Sequence, residues 1–436
     1  MILPWTLYGI LFATAALAPL RWSIIAYLVL STIDFDASGS GAIGILNTAK
    51  GIILPLYLLW RLSAYAGHQR AIVAPIAWIL LATYAGIAAF WSSFPIPALK
   101  LAGHMVGSLL ICFVLLRATK GGYLTPKVVV PVAVGALVIA ILRSVFMPAY
   151  GDEPARFTAF SSAQYFAAFL AALYCIALCS KALRPGVRIA LCLVIVGALI
   201  LDGSRIWTIG TAIATVAALL LSDLPPWLKI CGAGLAAILI SVAVGAGDRV
   251  ISLIASRSQS NRIASAITAA YEGDVKSRGL GTYNLRRGLN FRELQAIANS
   301  SPTELVVGHG TSNGALVVTG SVFKAHIDPN RLMHDEWLRV TYEWGIIGLI
   351  LWLAFFTSIA VFAYQGFRKD RSGHAKPLLI YLPAFLLGLA GENILAGAGN
   401  SVSVGFLLLI ALASISHRPF RSYSPPRRTD AMIFAH

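Results

Sequence analysis

The sequence predicts an all-α polytopic membrane protein, and three observations carry that prediction. Of 436 residues, 58% are hydrophobic and only 12% charged, with a mean hydropathy of +0.77; a soluble domain carries about 25% charged residues. The apolar residues gather in runs near the length, about 20 residues, that crosses a hydrocarbon core. Lys and Arg concentrate in alternate connectors, the pattern that retains loops on the inner side of a membrane. The expected architecture is about 12 transmembrane helices with one large, mainly helical outer loop before the last three spans.

Residues 1–33 read as one broken span or a tight pair split at Arg21. Further spans follow near 45–62, 71–90, 98–117, 128–147, 158–179, 187–202, 205–221 and 227–246, then 337–366, 377–393 and 400–416. Connectors 61–70, 117–127, 181–188 and 368–376 and the tail from 417 are basic, whereas 34–44, 91–97 and 150–154 are acidic or neutral. The basic set is therefore inner, and residues 247–336 lie outside. The chain divides into an N-terminal transmembrane bundle (1–246), an outer loop subdomain (247–336), C-terminal transmembrane helices (337–416) and an inner basic tail (417–436). The N-terminus runs into a span without a small-residue cleavage site, so no removable signal is expected.

The net charge of +16 would suggest nucleic acid in a soluble protein. Here the basic inner connectors account for it, and no nucleic-acid partner is expected; membrane lipids are the natural neighbours. The five cysteines (Cys112, Cys175, Cys179, Cys192, Cys231) sit in apolar runs without CxxC or Cys/His spacing. They read as packing residues.

Polar chemistry gathers where the outer loop meets the next span, in the run His334-Asp-Glu-Trp-Leu-Arg-Val-Thr-Tyr-Glu343-Trp-Gly345. Asp328-Pro329 looks like a helix cap followed by proline at the first helical position. A helix is therefore expected from near Pro329 to about Phe367, with His334 at headgroup height. Gly345 would let another helix pack beneath the imidazole, while a helix-entry histidine that merely solvates the interface is the bland alternative. Arg205 follows Ser204 at the outer junction of two spans, Arg156 lies in an outer connector, and Arg143 interrupts the outer third of a span. An arginine inside a span is costly unless paired or facing a polar cavity. Each of the three therefore reads either as a structural ion pair or as part of a shared anion site. Guanidinium suits phosphate because it donates in a planar fork, and Arg286 and Arg287 are further candidates in the loop. Glu392-Asn393 ends the penultimate span on the same side, as a site residue or a helix cap. Gly308-His309-Gly310 suggests a tight turn, since it lacks the Lys-Ser/Thr ending of a phosphate-cradling loop. His309, His326 and His334 have no recognised metal spacing, and no metal or other cofactor is expected.

The run His334, Leu338, Glu343, Gly345, Gly348 resembles the pattern that closes the periplasmic loop of bacterial O-antigen ligases and the related Wzy-type polysaccharide polymerases. Ser204-Arg205 is similar to their Ser-Arg motif. The Arg286/Arg287 helix and Leu305-Val-Val-Gly-His-Gly310 resemble the arginine helix and Gly-x-Gly turn of their loop. Two departures stand out: Phe160-Ser-Ser-Ala-Gln164 replaces the Asn-Pro-Asn often found after the arginine at Arg156, and Asp335 stands where Asn is frequent.

The resemblance implies an inner-membrane enzyme working on the periplasmic face. It would move a glycan from undecaprenyl pyrophosphate to a sugar hydroxyl, on a lipid A-core or carrier-linked acceptor, without metal. His334 is then the base or acceptor-orienting group. Arg205 with Arg286 or Arg287 binds pyrophosphate, with Arg143 and Arg156 in support and Glu343 and Glu392 completing the site. The compact loop favours ligase over polymerase. A lipid-linked glycan transporter or flippase is the competing class, and it would need polar groups along a path to the inner side.

Overall fold

The structure is a computed structural model that describes residues 2–33, 49–63, 73–146, 163–202, 204–222, 226–244, 278–322, 333, 335–369, 373–390 and 403–417. Among these residues all regular structure is helical, with no strand. The helices are α1 (Ile2–Leu17), α2 (Leu20–Leu30), α3 (Leu54–Arg61), α4 (Val73–Ile87), α5 (Pro95–Lys120), α6 (Val129–Phe146), α7 (Ala163–Cys179), α8 (Pro185–Asp202), α9 (Arg205–Leu220) and α10 (Pro226–Val244). Three helices of 21, 6 and 9 residues follow, α11 (Arg278–Ala298), α12 (Pro302–Val307) and α13 (Gly314–Val322). Then come α14 (Glu336–Lys369), α15 (Lys376–Leu389) and α16 (Val404–Ala413). Several begin with proline, which suits the first turn because its missing N–H has no intrahelical partner there.

Among the described residues, four helices are long and apolar enough to cross a membrane: Pro95–Lys120, Pro126–Ser144, Pro185–Asp202 and Glu336–Lys369. Shorter apolar helices accompany them. In α14 one face buries Trp352, Phe355, Phe356, Ile359 and Ala363 while the other exposes Ile346, Ile350, Leu353, Val361 and Tyr364. A helix apolar on both faces is not stable against water and is consistent with a membrane protein.

The first pair breaks at Ala18-Pro19, where the ring of Pro19 cannot continue the helix. Arg61 of α3 then fastens the corner. Its Nη1 donates to Ala16 O (3.0 Å) and Ser23 Oγ (2.9 Å), and its Nη2 to Ala18 O (2.9 Å). Ala16 O and Ala18 O are carbonyls at the end of α1 that have no intrahelical donors.

The core lies among α5, α7, α9, α14, α15 and α16. Phe385 stacks on Phe406 at 4.4 Å and Trp207 on Tyr381 at 6.1 Å, and the Tyr381 hydroxyl donates to Ala168 O (3.0 Å). Small residues set the helix spacing: a Cβ on Gly210 would meet Ala384 at 3.1 Å, and one on Gly405 would meet Ala172 at 3.0 Å. Close backbone approach of this kind holds helices together where lipid removes the hydrophobic drive. The cysteines are all free; Cys112 and Cys175 are buried, but Cys231 is exposed on α10 and does not pack.

Two expectations about α14 need correction. Met333 and Asp335 are not helical, and the helix begins at Glu336 rather than near Pro329. The cap is Asp335, whose Oδ1 accepts the N–H groups of Trp337 (2.8 Å) and Leu338 (3.1 Å). Nor is the helix continuous: Gly345, at φ 62° and ψ −161°, breaks it into a short N-terminal segment and a long apolar one.

Candidate functional site

The Gly308-His309-Gly310 turn and the Gly345 break form one unit. Gly308 and Gly310 have φ of +81° and +100°, a region only glycine enters without strain. Their shape lets the turn pair with α14 as a strand would, His309 N–H donating to Tyr342 O (3.0 Å) and Gly310 N–H to Glu343 O (2.9 Å). A Cβ on Gly308 would lie 2.2 Å from Glu343 O, and one on Gly345 would lie 2.5 Å from Val306 O. It is therefore the end of α12, at Val306, and the start of the turn after it, at Gly308, that pack against Gly345.

The other side of the turn is held by the end of α4 and the connector after it. Tyr84 OH donates to Val307 O (3.0 Å), Trp91 Nε1 to Gly308 O (3.2 Å) and Ser92 Oγ to Thr311 O (2.6 Å). Thr311 Oγ1 donates to Ala85 O (2.7 Å) and accepts from Trp344 Nε1 (2.9 Å). Asn313 Oδ1 accepts from Ser93 N–H (2.9 Å), and its amide donates to His309 O. Within this double clamp Ser312 is held at φ 69°, which costs a non-glycine residue about 1–2 kcal/mol.

Beneath the turn, Glu336, Arg339 and Glu343 share one face of α14, each fully buried. Arg339 Nη2 donates to Glu336 Oε1, and the guanidinium carbon lies 5.6 Å from the Trp344 ring centre. Glu343 Oε1 accepts the N–H of Gly314 (3.1 Å), the first residue of α13. A carboxylate suits that position because the first N–H groups of a helix lack partners and carry partial positive charge.

His309 joins three elements. Its ring stacks on Tyr342 at 4.1 Å and 17°, Nε2 meets Ser300 Oγ at 2.7 Å, and Nδ1 lies 3.4 Å from Glu304 Oε1. Burial lowers its pKa from the ordinary histidine value, against the opposing pull of Glu304. The Glu304 carboxylate is itself held below its usual range by hydrogen bonds from the Ser301 side chain and backbone, the reciprocal cap that starts α12. Ser300, His309 and Glu304 are ordered like a nucleophile, base and orienting acid. However, Ser300 Oγ also donates to Ala296 O (2.9 Å), and the neighbouring Ser301 N–H is spent on Glu304. The trio therefore fastens α11 to α12, and among the described residues no oxyanion donor is seen beside it.

Of the residues singled out from sequence, His334, Arg156, Glu392 and His326 lie outside the described residues. Arg205 is the first residue of α9, preceded by a buried Ser204 in extended conformation. Arg286 and Arg287 are adjacent in α11. The side chains of these three arginines lie outside what is described. Arg143 is half-buried in the last turn of α6, and Glu343 and His309 have the contacts described above. Two connections bear on His334. Asp335, its neighbour, caps α14, and Trp337 Nε1 donates to Leu386 O (3.5 Å), which brings the end of α15, three residues before Leu389, to the same corner. Burial raises the Asp335 pKa, against the N–H groups of Leu338 and Trp337.

Arg339 and Glu336 escaped the sequence reading. The available signal was their placement with Glu343 at helical spacing, in a run otherwise rich in Trp and Leu. Among the described residues no group of three or more His, Cys, Asp or Glu could hold a metal ion. The chain matches no family model and no curated protein.

Proposed function

We propose that this chain is a periplasmic-face glycosyltransferase that moves a glycan from undecaprenyl pyrophosphate to a sugar hydroxyl, in the manner of an O-antigen ligase. The observation that supports this most is the docking of the Gly308–Gly310 turn onto Tyr342–Gly345. Two segments that the resemblance singles out separately interlock through glycines at positive φ. The corner they build adjoins the helix cap that follows His334.

In the proposed reaction the acceptor hydroxyl oxygen attacks the anomeric carbon of the donor. The bond from that carbon to the phosphate oxygen breaks, undecaprenyl pyrophosphate leaves, and the configuration inverts. His334 takes the hydroxyl proton, since an imidazole titrates near neutrality. Arg205 with Arg286 or Arg287 meets the charge that grows on the leaving pyrophosphate, supported by Arg143 and Arg156. A guanidinium already in place stabilises that charge without needing to reorganise. Glu343 keeps the turn seated, and Glu392 lies beyond the α15 end that Trp337 approaches.

The deciding experiment is reconstitution of the purified protein in liposomes with lipid-linked oligosaccharide and a lipid A-core acceptor. Attachment of the glycan to the acceptor, resistant to EDTA, is the expected outcome. Carrier-linked chains of growing length would make the protein a polymerase, and no transfer to either acceptor would refute the reading.

A further inference from the structure

The arginines assigned to pyrophosphate leave open which groups read the sugar, and α14 carries side chains suited to that task. Arg339 and Glu343 lie one turn apart on the same buried face, yet they do not pair with each other: Arg339 turns to Glu336, and Glu343 turns to the Gly314 N–H. Arg339 Nε and Nη1 and Glu343 Oε2 have no hydrogen-bond partner among the described residues. Buried polar atoms are nearly always partnered, so orphans this close together call for an explanation.

The charge balance selects the kind of ligand. Among the described residues the guanidinium is matched by Glu336 and Glu343 adds a second carboxyl group on the same face, so these side chains offer no surplus positive charge to a phosphate. A hydroxyl group fits instead, because it accepts from a guanidinium N–H and donates to a carboxylate oxygen at once. Sugars present such hydroxyls on adjacent carbons, and the Trp344 ring beside Arg339 supplies an apolar wall. The glycine break at Gly345 separates residues 336–344 from the membrane-length part of α14.

We infer that Arg339 and Glu343 form a sugar-hydroxyl subsite, Arg339 Nε and Nη1 donating to a glycan oxygen and Glu343 Oε2 accepting from a glycan hydroxyl. The inference rests on the glycan-transfer reading. Its test compares two lipids binding to the full-length protein in nanodiscs: bare undecaprenyl pyrophosphate, and lipid-linked oligosaccharide extracted from the source cells. Wild-type protein should bind the glycan-bearing lipid more tightly. Glu343→Gln and Arg339→Met should each lose roughly tenfold or more of the affinity for the glycan-bearing lipid, with binding of the bare lipid unchanged. Arg339→Lys keeps the charge beside Glu336 but lacks the planar fork, so it should show the same selective loss in a folded protein. Weakened binding of the bare lipid would make Arg339 a phosphate ligand and overturn the assignment. Unchanged binding of both lipids would make the cluster structural and overturn it as well. Wild-type protein that binds neither lipid would refute the transfer reading itself, and the subsite with it.

Discussion

At the scale of single residues, the interlock of the Gly308–Gly310 turn with α14 depends on side-chain atoms that glycine lacks. Gly308→Ala must place a Cβ against the Glu343 carbonyl and Gly345→Ala one against the Val306 carbonyl, both at positive φ. Each should destabilise the protein by on the order of 2–4 kcal/mol, read as a lower unfolding temperature in detergent. Gly288→Ala, with open space around it in α11, should be neutral or slightly stabilising. A second prediction concerns His309, whose folded pKa is depressed. The unfolded chain then binds the proton more readily, so the stability this residue contributes is present above the unfolded value of about 6.5 and is lost as pH falls below it. His309→Gln should flatten the pH dependence of stability between pH 7 and 5. An identical slope in the variant would remove His309 from that role. His334→Ala should abolish transfer while expression and membrane insertion persist, and near-normal turnover of the purified variant would contradict its place in the mechanism. Sequence made Glu343 visible as a carboxylate in an unusual place. Its partner was not legible, because the Gly314 N–H is a backbone group with no signature of its own.

Among the helices, apolar runs located α1–α2, α4–α10 and α14–α16 to within about five residues at each end, whereas α3 begins nine residues after the start of its run and α11–α13 carry no span-length apolar run. The start of α14 went astray at its cap. Asp328-Pro329 carries the stronger sequence pattern, but Asp335 has the carboxylate that reaches the free N–H groups of α14. The break at Gly345 was also hidden, since a glycine in an apolar run looks like a packing residue until a turn from elsewhere lies against it. The α9–α15 contact yields a prediction of its own. Gly210 faces Ala384 closely, whereas Gly234 has nothing within 4 Å. Gly210→Val should lower the unfolding temperature by forcing α9 from α15, and Gly234→Ala should not; equal effects would mean the helices adjust freely. At the N-terminus of α9, Arg205→Ala should weaken donor binding, with Arg205→Lys restoring only part of it.

For the molecule as a whole, the proposed orientation puts the α11–α13 segment outside and the α7–α8 connector inside. In a variant with its native cysteines replaced, Thr303→Cys should react with a membrane-impermeant maleimide in intact spheroplasts, and Lys181→Cys only after permeabilisation. Both positions are exposed in the structure. The reverse pattern would invert the topology and move the proposed chemistry to the wrong face. Deleting the gene should leave lipid-linked polymer of normal length unattached to its acceptor, whereas single repeat units on the carrier would indicate a polymerase.

The double clamp on the Gly308–Gly310 turn also imposes an order on biogenesis. Tyr84, Trp91 and Ser92 leave the ribosome early, yet their partners at Val307, Gly308 and Thr311 come more than 200 residues later, and the Trp344 and Glu343 side of the clamp comes later still. At about 5–20 residues per second of synthesis, the α4 corner waits roughly 10–50 s for its partners. During that interval it must sit in the membrane interface with its hydrogen bonds supplied by water. Nascent chains arrested before Gly345 should therefore leave an added cysteine beside Ser92 open to reagent, and release of the full chain should close it.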